Sequence, residues 1–275
     1  LHVNLLPTEK PMDVYLGVLE VVKKHIDQDA AKGNELAQIL QGHVYRSTIK
    51  QTVMTSVYGV TFVGAREQIQ KRLKEKKDIP EDKIAAASVY LARVTLHSLG
   101  EVFQSARTIM DWLNELAHVV SSKNQPVLWI TPLGLPVVQP YRSAKKTSVK
   151  TVLQTFKLVS SNDDLPVSRA RQKSAFPPNY VHSLDACHMF MTAKTCKKNN
   201  IEFASVHDSF WTHAGDVDHM NDIIRDEFIN LHSQPLLETL LQSMQELHPD
   251  LNFPPIPKRG HLQLERVRKS KYFFD

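Results

Sequence analysis

The chain changes texture at Asn124, and that change limits what it can fold into. Before it, apolar residues recur at helical spacing through long polar stretches. After it come short apolar runs separated by turn residues. The first half therefore reads as helical and the second as mixed, an α+β chain without internal repeats. Hydrophobic residues make up 42% of the 275 residues, enough for a core and too many for a disordered chain. Two cysteines, Cys187 and Cys196, cannot form a disulfide framework. No apolar run reaches the length of a membrane span. The opening Leu1 to Leu6 reads like interior sequence with no secretory signal, so a fragment is expected.

Helices are expected over about 11–33, 43–58 and 65–77. A long stretch then runs from Pro80 to about Ser121, with Gly100 as a possible interruption. Val127–Ile130, the turn residues Thr131-Pro132-Leu133-Gly134, and Val137-Val138 predict a hairpin. Ser148 to Val159 alternates like a strand pair, with a loop at 160–164. Pro177-Pro178 reads as a stop, with Asn179 capping a helix that runs to about Lys198. Strands at 201–206 and 210–213 flank His207-Asp208, and two helices follow over about 216–231 and 235–247. The tail ends in aromatic residues, which suit packing better than a free polar end.

Charge is unevenly placed. The net +5 is concentrated between Arg142 and Lys173, where Arg142, Lys145, Lys146, Lys150, Lys157, Arg169, Arg171 and Lys173 face only Asp163 and Asp164. A hairpin over about 142–169 would carry that cluster outward and suit a polyanion, unless it is an ordinary solvated loop.

Arg46 and Lys50 are four apart, so one helix face presents both cations. Arg offers forked hydrogen bonds and Lys a point charge, a pair that suits a triphosphate. Tyr58 lies two turns on, before Gly59. Asp208, between two strands, is an exposed, rigidly placed carboxylate of the kind Mg²⁺ takes. His182 and Asp185 share a helix face. Each feature alone has a plain alternative: a solvated basic pair, a turn aspartate, a helix-start His and Asp. Zinc is disfavoured, because the pairs His182/His188 and His207/His213 have the wrong spacing and no Cys-x-x-Cys occurs. Glycine-rich nucleotide loops and the serine-hydrolase elbow are also absent.

Taken together, these pieces carry a resemblance. Val44 to Gly59, with Arg46, Lys50, Met54 and Tyr58-Gly59 at intervals of four, closely resembles the fingers-helix signature of phage-type single-subunit RNA polymerases. His207-Asp208-Ser209 resembles that family's second catalytic carboxylate motif, and Pro177 to Asp185 its His-Ser-x-Asp helix. The stretch from Val3 through Tyr15 and the ending Tyr-Phe-Phe-Asp are also similar to it. Thr131 to Pro136 and His207 to His213 are spelled more like the organellar members.

The resemblance implies mostly helical fingers plus part of an antiparallel-sheet palm of a right-hand polymerase. Residues 1–10 would be a remnant of palm, 11–181 fingers with a specificity-type hairpin at about 142–169, and 182–275 C-terminal palm with a catalytic hairpin at 202–213. It implies template-dependent transfer of ribonucleoside triphosphates to an RNA 3′ end, with two Mg²⁺ ions. Asp208 would bind metal. Arg46 and Lys50 would hold the triphosphate, with Lys50 protonating the leaving pyrophosphate. Tyr58 and His182 would sit near the sugar, and Tyr15 close to the same pocket. Arg142, Lys145, Lys146, Lys150, Lys157 and Arg169 would contact DNA. Template DNA, nascent RNA and organellar transcription factors are the implied partners, without membrane insertion. A mitochondrial address, or alternatively a chloroplast one, is implied. The family's first metal-binding carboxylate would fall before Leu1. The competing readings are a metal-dependent phosphohydrolase using His207-Asp208 and a non-catalytic DNA-binding module.

Overall fold

The computed structural model describes residues 3–56, 59–151, 153–160, 165–206 and 208–274, with the backbone alone at 145–147 and 158–160. The chain divides into two compact units, one of residues 1–108 with 265–275 and one of residues 109–264.

The first unit is helical. It holds α1 (Val14–Ala31), α2 (Glu35–Leu40), α3 (Arg46–Ser56), α4 (Phe62–Lys76) and α5 (Ile84–Val102). Asp13 caps α1 by accepting from the backbone N–H of Tyr15 and Leu16, and Asn34 caps α2 through Ala37 N–H. After α1, Gly33 adopts φ +86°, a left-handed geometry that suits glycine. Of the valines spaced at helical intervals along α1, Val18 and Val22 are buried while Val14 and Val21 are half-buried, and Ile26 extends the stripe. Val18, Val22 and Ile26 pack in one core with Leu40, Ile49, Val53, Ile69, Leu73, Ala87 and Leu91. Full burial of each such aliphatic side chain is worth about 1.5–3 kcal/mol, so this unit is held chiefly by helix faces. The aromatic tail packs as expected. Phe273 is buried, Tyr272 donates its hydroxyl to the Glu9 carbonyl at 3.1 Å, and Ser270 donates to the Asn4 carbonyl.

The long stretch after Pro80 breaks at Phe103, whose φ of −118° and ψ of 43° are not helical, and not at Gly100, which lies inside α5. The next helix, α6 (Gln104–Ser122), begins at the end of the first unit and runs into the second.

The second unit adds three antiparallel strand pairs to its helices: β1 (Leu128–Ile130) with β2 (Pro136–Val138), β3 (Lys145–Lys150) with β4 (Thr155–Ser160), and β5 (Ala204–Val206) with β6 (Ser209–Trp211). Its remaining helices are α7 (Arg169–Lys198), α8 (Val217–His232) and α9 (Leu236–Leu247). The α+β class is borne out, with small antiparallel sheets in a helical chain. Among the described residues no helix is long and apolar enough to cross a membrane. In the β1–β2 turn Gly134 has φ +84° and donates to the Thr131 carbonyl at 2.8 Å, the backbone shape that the turn residues anticipate.

The expected stop at Pro177-Pro178 is overturned, because α7 runs through both prolines. Each proline removes a backbone donor and normally breaks a helix at a cost of ~3 kcal/mol or more. Here packing outweighs that cost. Phe176, both prolines and Tyr180 are buried, and Phe176 and Tyr180 pack edge to face on Trp129 at centroid distances of 5.3 and 6.3 Å. Asn179 is therefore no cap. Its amide donates to Gln139 Oε1 at 2.8 Å instead.

Candidate functional site

Two groups of expected residues stand on different units. In the first unit, the N-terminus of α1 meets the start of α3. Asp13 holds α1 through one carboxylate oxygen and accepts from Arg46 Nε through the other, at 2.6 Å. Burial alone would raise the Asp13 pKa. The bonds from Arg46 and from the backbone of Leu16 and Tyr15 outweigh it, so the carboxyl is held below its ordinary value.

Arg46 then lies over the Tyr15 ring, 4.9 Å from its centroid, and Lys50 Nζ lies 5.7 Å from the same centroid. Each cation–π contact is worth about 0.5–1 kcal/mol at an exposed site. Tyr15, Arg46 and Lys50 are thus brought together. Arg46 is already paired, whereas Lys50 is exposed and has no ion-pair partner among the described residues. The sequence reading missed Asp13 as the residue that orients Arg46. Its capping position before an apolar run was legible, but its bond across 33 positions was not. Tyr58 lies outside the described residues.

In the second unit, Val206 pairs with Ser209, and Asp208 lies in the turn that joins the two strands. Asp208 is exposed and has no hydrogen-bond or ion-pair partner among the described residues, while His207 lies outside them. Beneath the turn the hairpin is anchored. Phe210 packs on Phe203 at 5.2 Å and on His188 of α7 at 6.4 Å. His188 bonds the Ile224 carbonyl at 2.9 Å and packs on Phe228 of α8, which in turn lies 4.3 Å from His232. Burial lowers the pKa of both histidines. For His232, burial and the neighbouring His188 bring it to about 4. His182, also on α7, is exposed.

The basic segment forms a hairpin, as expected. Its register, Ser148 opposite Lys157 and Lys150 opposite Thr155, puts Lys150 and Lys157 on one face and Val149 and Phe156 on the other. Lys150 and Lys157 are exposed. Arg142 and Arg169 also serve the base of the hairpin, donating to the carbonyls of Leu165 and Ser122 at 2.9 and 3.2 Å. Lys145 and Lys146 stand on β3 opposite Ser160 and Val159. Asp163 and Asp164 lie outside the described residues.

A buried amide pair, unforeseen in the sequence, fixes this base. Gln139 Nε2 donates to Gln172 Oε1 and Gln172 Nε2 to the Gln139 carbonyl, each at 2.8 Å. The backbone N–H of Val127 also donates to Gln172 Oε1.

Comparison with known proteins gives the family. Residues 1–250 match the family model described as DNA-dependent RNA polymerase. The chain is 51% identical, over 99% of its length, to the mitochondrial DNA-directed RNA polymerase 1B of Nicotiana tabacum, and it covers 28% of that protein. It is likewise 51% identical to the chloroplastic/mitochondrial DNA-directed RNA polymerase 2 of Arabidopsis thaliana, again covering 28% of it. It is 49% identical to DNA-directed RNA polymerase 2A of Nicotiana tabacum, covering 84% of that shorter relative. The chain spans under a third of the length of the first two. With a match over most of its residues and half of its positions shared with these relatives, the chain belongs to the DNA-dependent RNA polymerase family.

Proposed function

We propose that this chain is the nucleotide-binding and second-carboxylate portion of an organellar, single-subunit DNA-dependent RNA polymerase, working in mitochondria or chloroplasts. The observation that carries the reading is the assembly of Tyr15, Arg46 and Lys50 on two helix ends, held by Asp13. In the right-hand arrangement the fingers comprise residues 11–181, and the palm comprises 182–275 with a remnant at 1–10.

The substrates are ribonucleoside triphosphates, the template is DNA and the product strand is RNA. Lys50 and Arg46 bind the triphosphate, each charge-assisted bond contributing about 1.5–3 kcal/mol net. Because Asp13 orients Arg46 through Nε, the guanidinium is set before substrate arrives. Lys50 donates a proton to the pyrophosphate as it leaves the α-phosphorus under attack by the RNA 3′-hydroxyl. Tyr58 and His182 read the ribose 2′-hydroxyl; a site built to bond that hydroxyl disfavours a sugar lacking it.

Asp208 fits a magnesium ligand, being an exposed hard-oxygen donor on a tight turn with no competing cation among the described residues. Two Mg²⁺ ions, when bound, stabilise charge on the attacking and leaving oxygens. The hairpin at 142–169 lies against template DNA through Lys145, Lys146, Lys150 and Lys157, with Arg142 and Arg169 at its base. Organellar transcription factors are further partners.

The test is RNA extension on an RNA–DNA scaffold with Mg²⁺. The enzyme is the tobacco mitochondrial relative with its matching segment replaced by this chain, beside the same chimera carrying Asp208→Asn. Template-directed addition is expected from the first, and the variant should lose about 10²–10³-fold or more, the several kcal/mol a metal clamp supplies, with scaffold binding retained. Near-normal extension by the variant would reject Asp208 as a ligand. Tight scaffold binding with no extension by either would favour a DNA-binding module. Template-free, manganese-stimulated nucleotide hydrolysis would favour a phosphohydrolase.

A further inference from the structure

The first unit carries a second constellation, away from the triphosphate cluster in sequence. His97 and Glu101 are one turn apart on α5, and His25 stands across from them on α1. Glu101 bridges the two imidazoles, with Oε2 3.1 Å from His25 Nε2 and Oε1 3.2 Å from His97 Nε2. The candidate ligand atoms of all three residues lie within 4.8 Å of one another. The rings of His25 and His97 meet edge to face, 5.3 Å between centroids.

Ligand atoms bound at ~2.0–2.2 Å to one tetrahedral ion are separated by roughly 3.3–3.6 Å; each imidazole nitrogen already stands about that far from one of the two Glu101 oxygens, and one ligand atom from each residue fits within a 4.8 Å spread. The donors are two imidazole nitrogens and a carboxylate, a set that suits zinc and its transition-metal neighbours and not magnesium. Three protein ligands leave a fourth position open to water, the pattern of a reactive or exchangeable site rather than a closed structural one. His25 is about three-quarters buried and His97 about two-thirds exposed, so one ligand is fixed in the helix packing while the site stays open to solvent.

We infer that His25, His97 and Glu101 form a binding site for a zinc-class divalent metal, a site separate in chemistry from any magnesium held by Asp208. The bound ion ties α1 to α5 across more than 70 positions of sequence and thereby stabilises the helical unit. Without the ion, Glu101 accepts a hydrogen bond from His25 and lies 3.2 Å from the His97 nitrogen. The zinc test on sequence spacing overlooked the site because one ligand is remote. Only the His-x-x-x-Glu pair, one helical turn apart, was legible.

The experiment is titration of the untagged 275-residue chain with Zn²⁺, and with Co²⁺ as a visible-absorbing probe, followed by calorimetry and thermal unfolding. One equivalent should bind and raise the unfolding temperature. Tetrahedral Co²⁺ should give intense visible bands that Zn²⁺ abolishes. His25→Ala, His97→Ala and Glu101→Gln should each weaken binding by at least the roughly 10–100-fold that a lost supporting contact costs at a metal site. His97→Ala and Glu101→Gln alter exposed positions and keep the fold, as circular dichroism will check. Absence of one-to-one binding at 100 μM metal, or binding unchanged in these variants because other surface histidines hold the ion, would overturn the assignment.

Discussion

Asp13 and Asp208 both sit at the edge of an element, yet their surroundings differ in kind. Asp13 is wired on every side. It caps α1, takes the bond from Arg46, and its pKa is held low by those contacts. Asp208 sits in the hairpin turn, exposed and without a partner among the described residues. The first spends its hydrogen-bonding capacity on placing a neighbour. The second keeps its oxygens open, and its position comes from aromatic packing beneath the turn. That contrast is what the proposed roles require, since a carboxylate already bound by neighbours has little left to offer a metal.

Variants at the two positions should separate accordingly. The largest effect is expected from Asp208→Asn, which should cut extension in the chimera by about 10²–10³-fold or more. It should shift the unfolding free energy of the chain by no more than the ~0.5 kcal/mol usual for a surface change. A comparable loss of stability would show that Asp208 is structural, like Asp13.

Next in size is the acid response of the packing that anchors the Asp208 hairpin. Burial, with His188 nearby, depresses the folded-state pKa of His232 to about 4, whereas the unfolded chain titrates at its ordinary value near 6.5. The folded state therefore resists protonation. This contribution is intact above about pH 6.5 and is lost as pH falls toward 4. Between pH 7 and pH 5 the loss should be about 2 kcal/mol, read by denaturant unfolding. His232→Gln should flatten the profile over that window, and an unchanged profile would mean that His232 titrates freely.

Asp13→Ala should cost about 1–2 kcal/mol in unfolding free energy through the lost cap and the lost Arg46 bond. It should also raise the KM for nucleotide in the chimera, because Arg46 loses its orientation. Asp13→Asn keeps an acceptor for the cap and should recover most of the stability but less of the KM. Equal recovery of both would mean that the charge on Asp13 does not matter. The smallest effect is expected from Lys150→Gln or Lys157→Gln. Each should reduce the salt dependence of scaffold binding by about one unit of slope, roughly 3–4-fold in affinity between 50 and 200 mM. An unchanged slope would place that lysine off the DNA.

Local signals carried much of the fold. The valine stripe of α1, the Thr131–Gly134 turn and the alternation of 148–159 each appeared where short-range rules put them. They are read within one element, where periodicity and turn chemistry dominate. The prolines of α7 misled for the same reason. A helix breaker is judged locally, but Phe176 and Tyr180 offset its cost against Trp129, about 50 residues away. The second short helix, α2, lies in a six-residue window too brief to show a period.

The sequence by itself determined the helical first half, the hairpins, the concentration of positive charge and the motif spacing that marks the polymerase family, because each is written in neighbouring residues. Tertiary structure alone decided that Asp13 orients Arg46, that Gln139 and Gln172 lock the base of the basic hairpin, and that His25 meets His97 and Glu101. Those pairings join side chains 33 to 76 positions apart. No local preference encodes them, and they form only when burial of the helix faces brings the elements together.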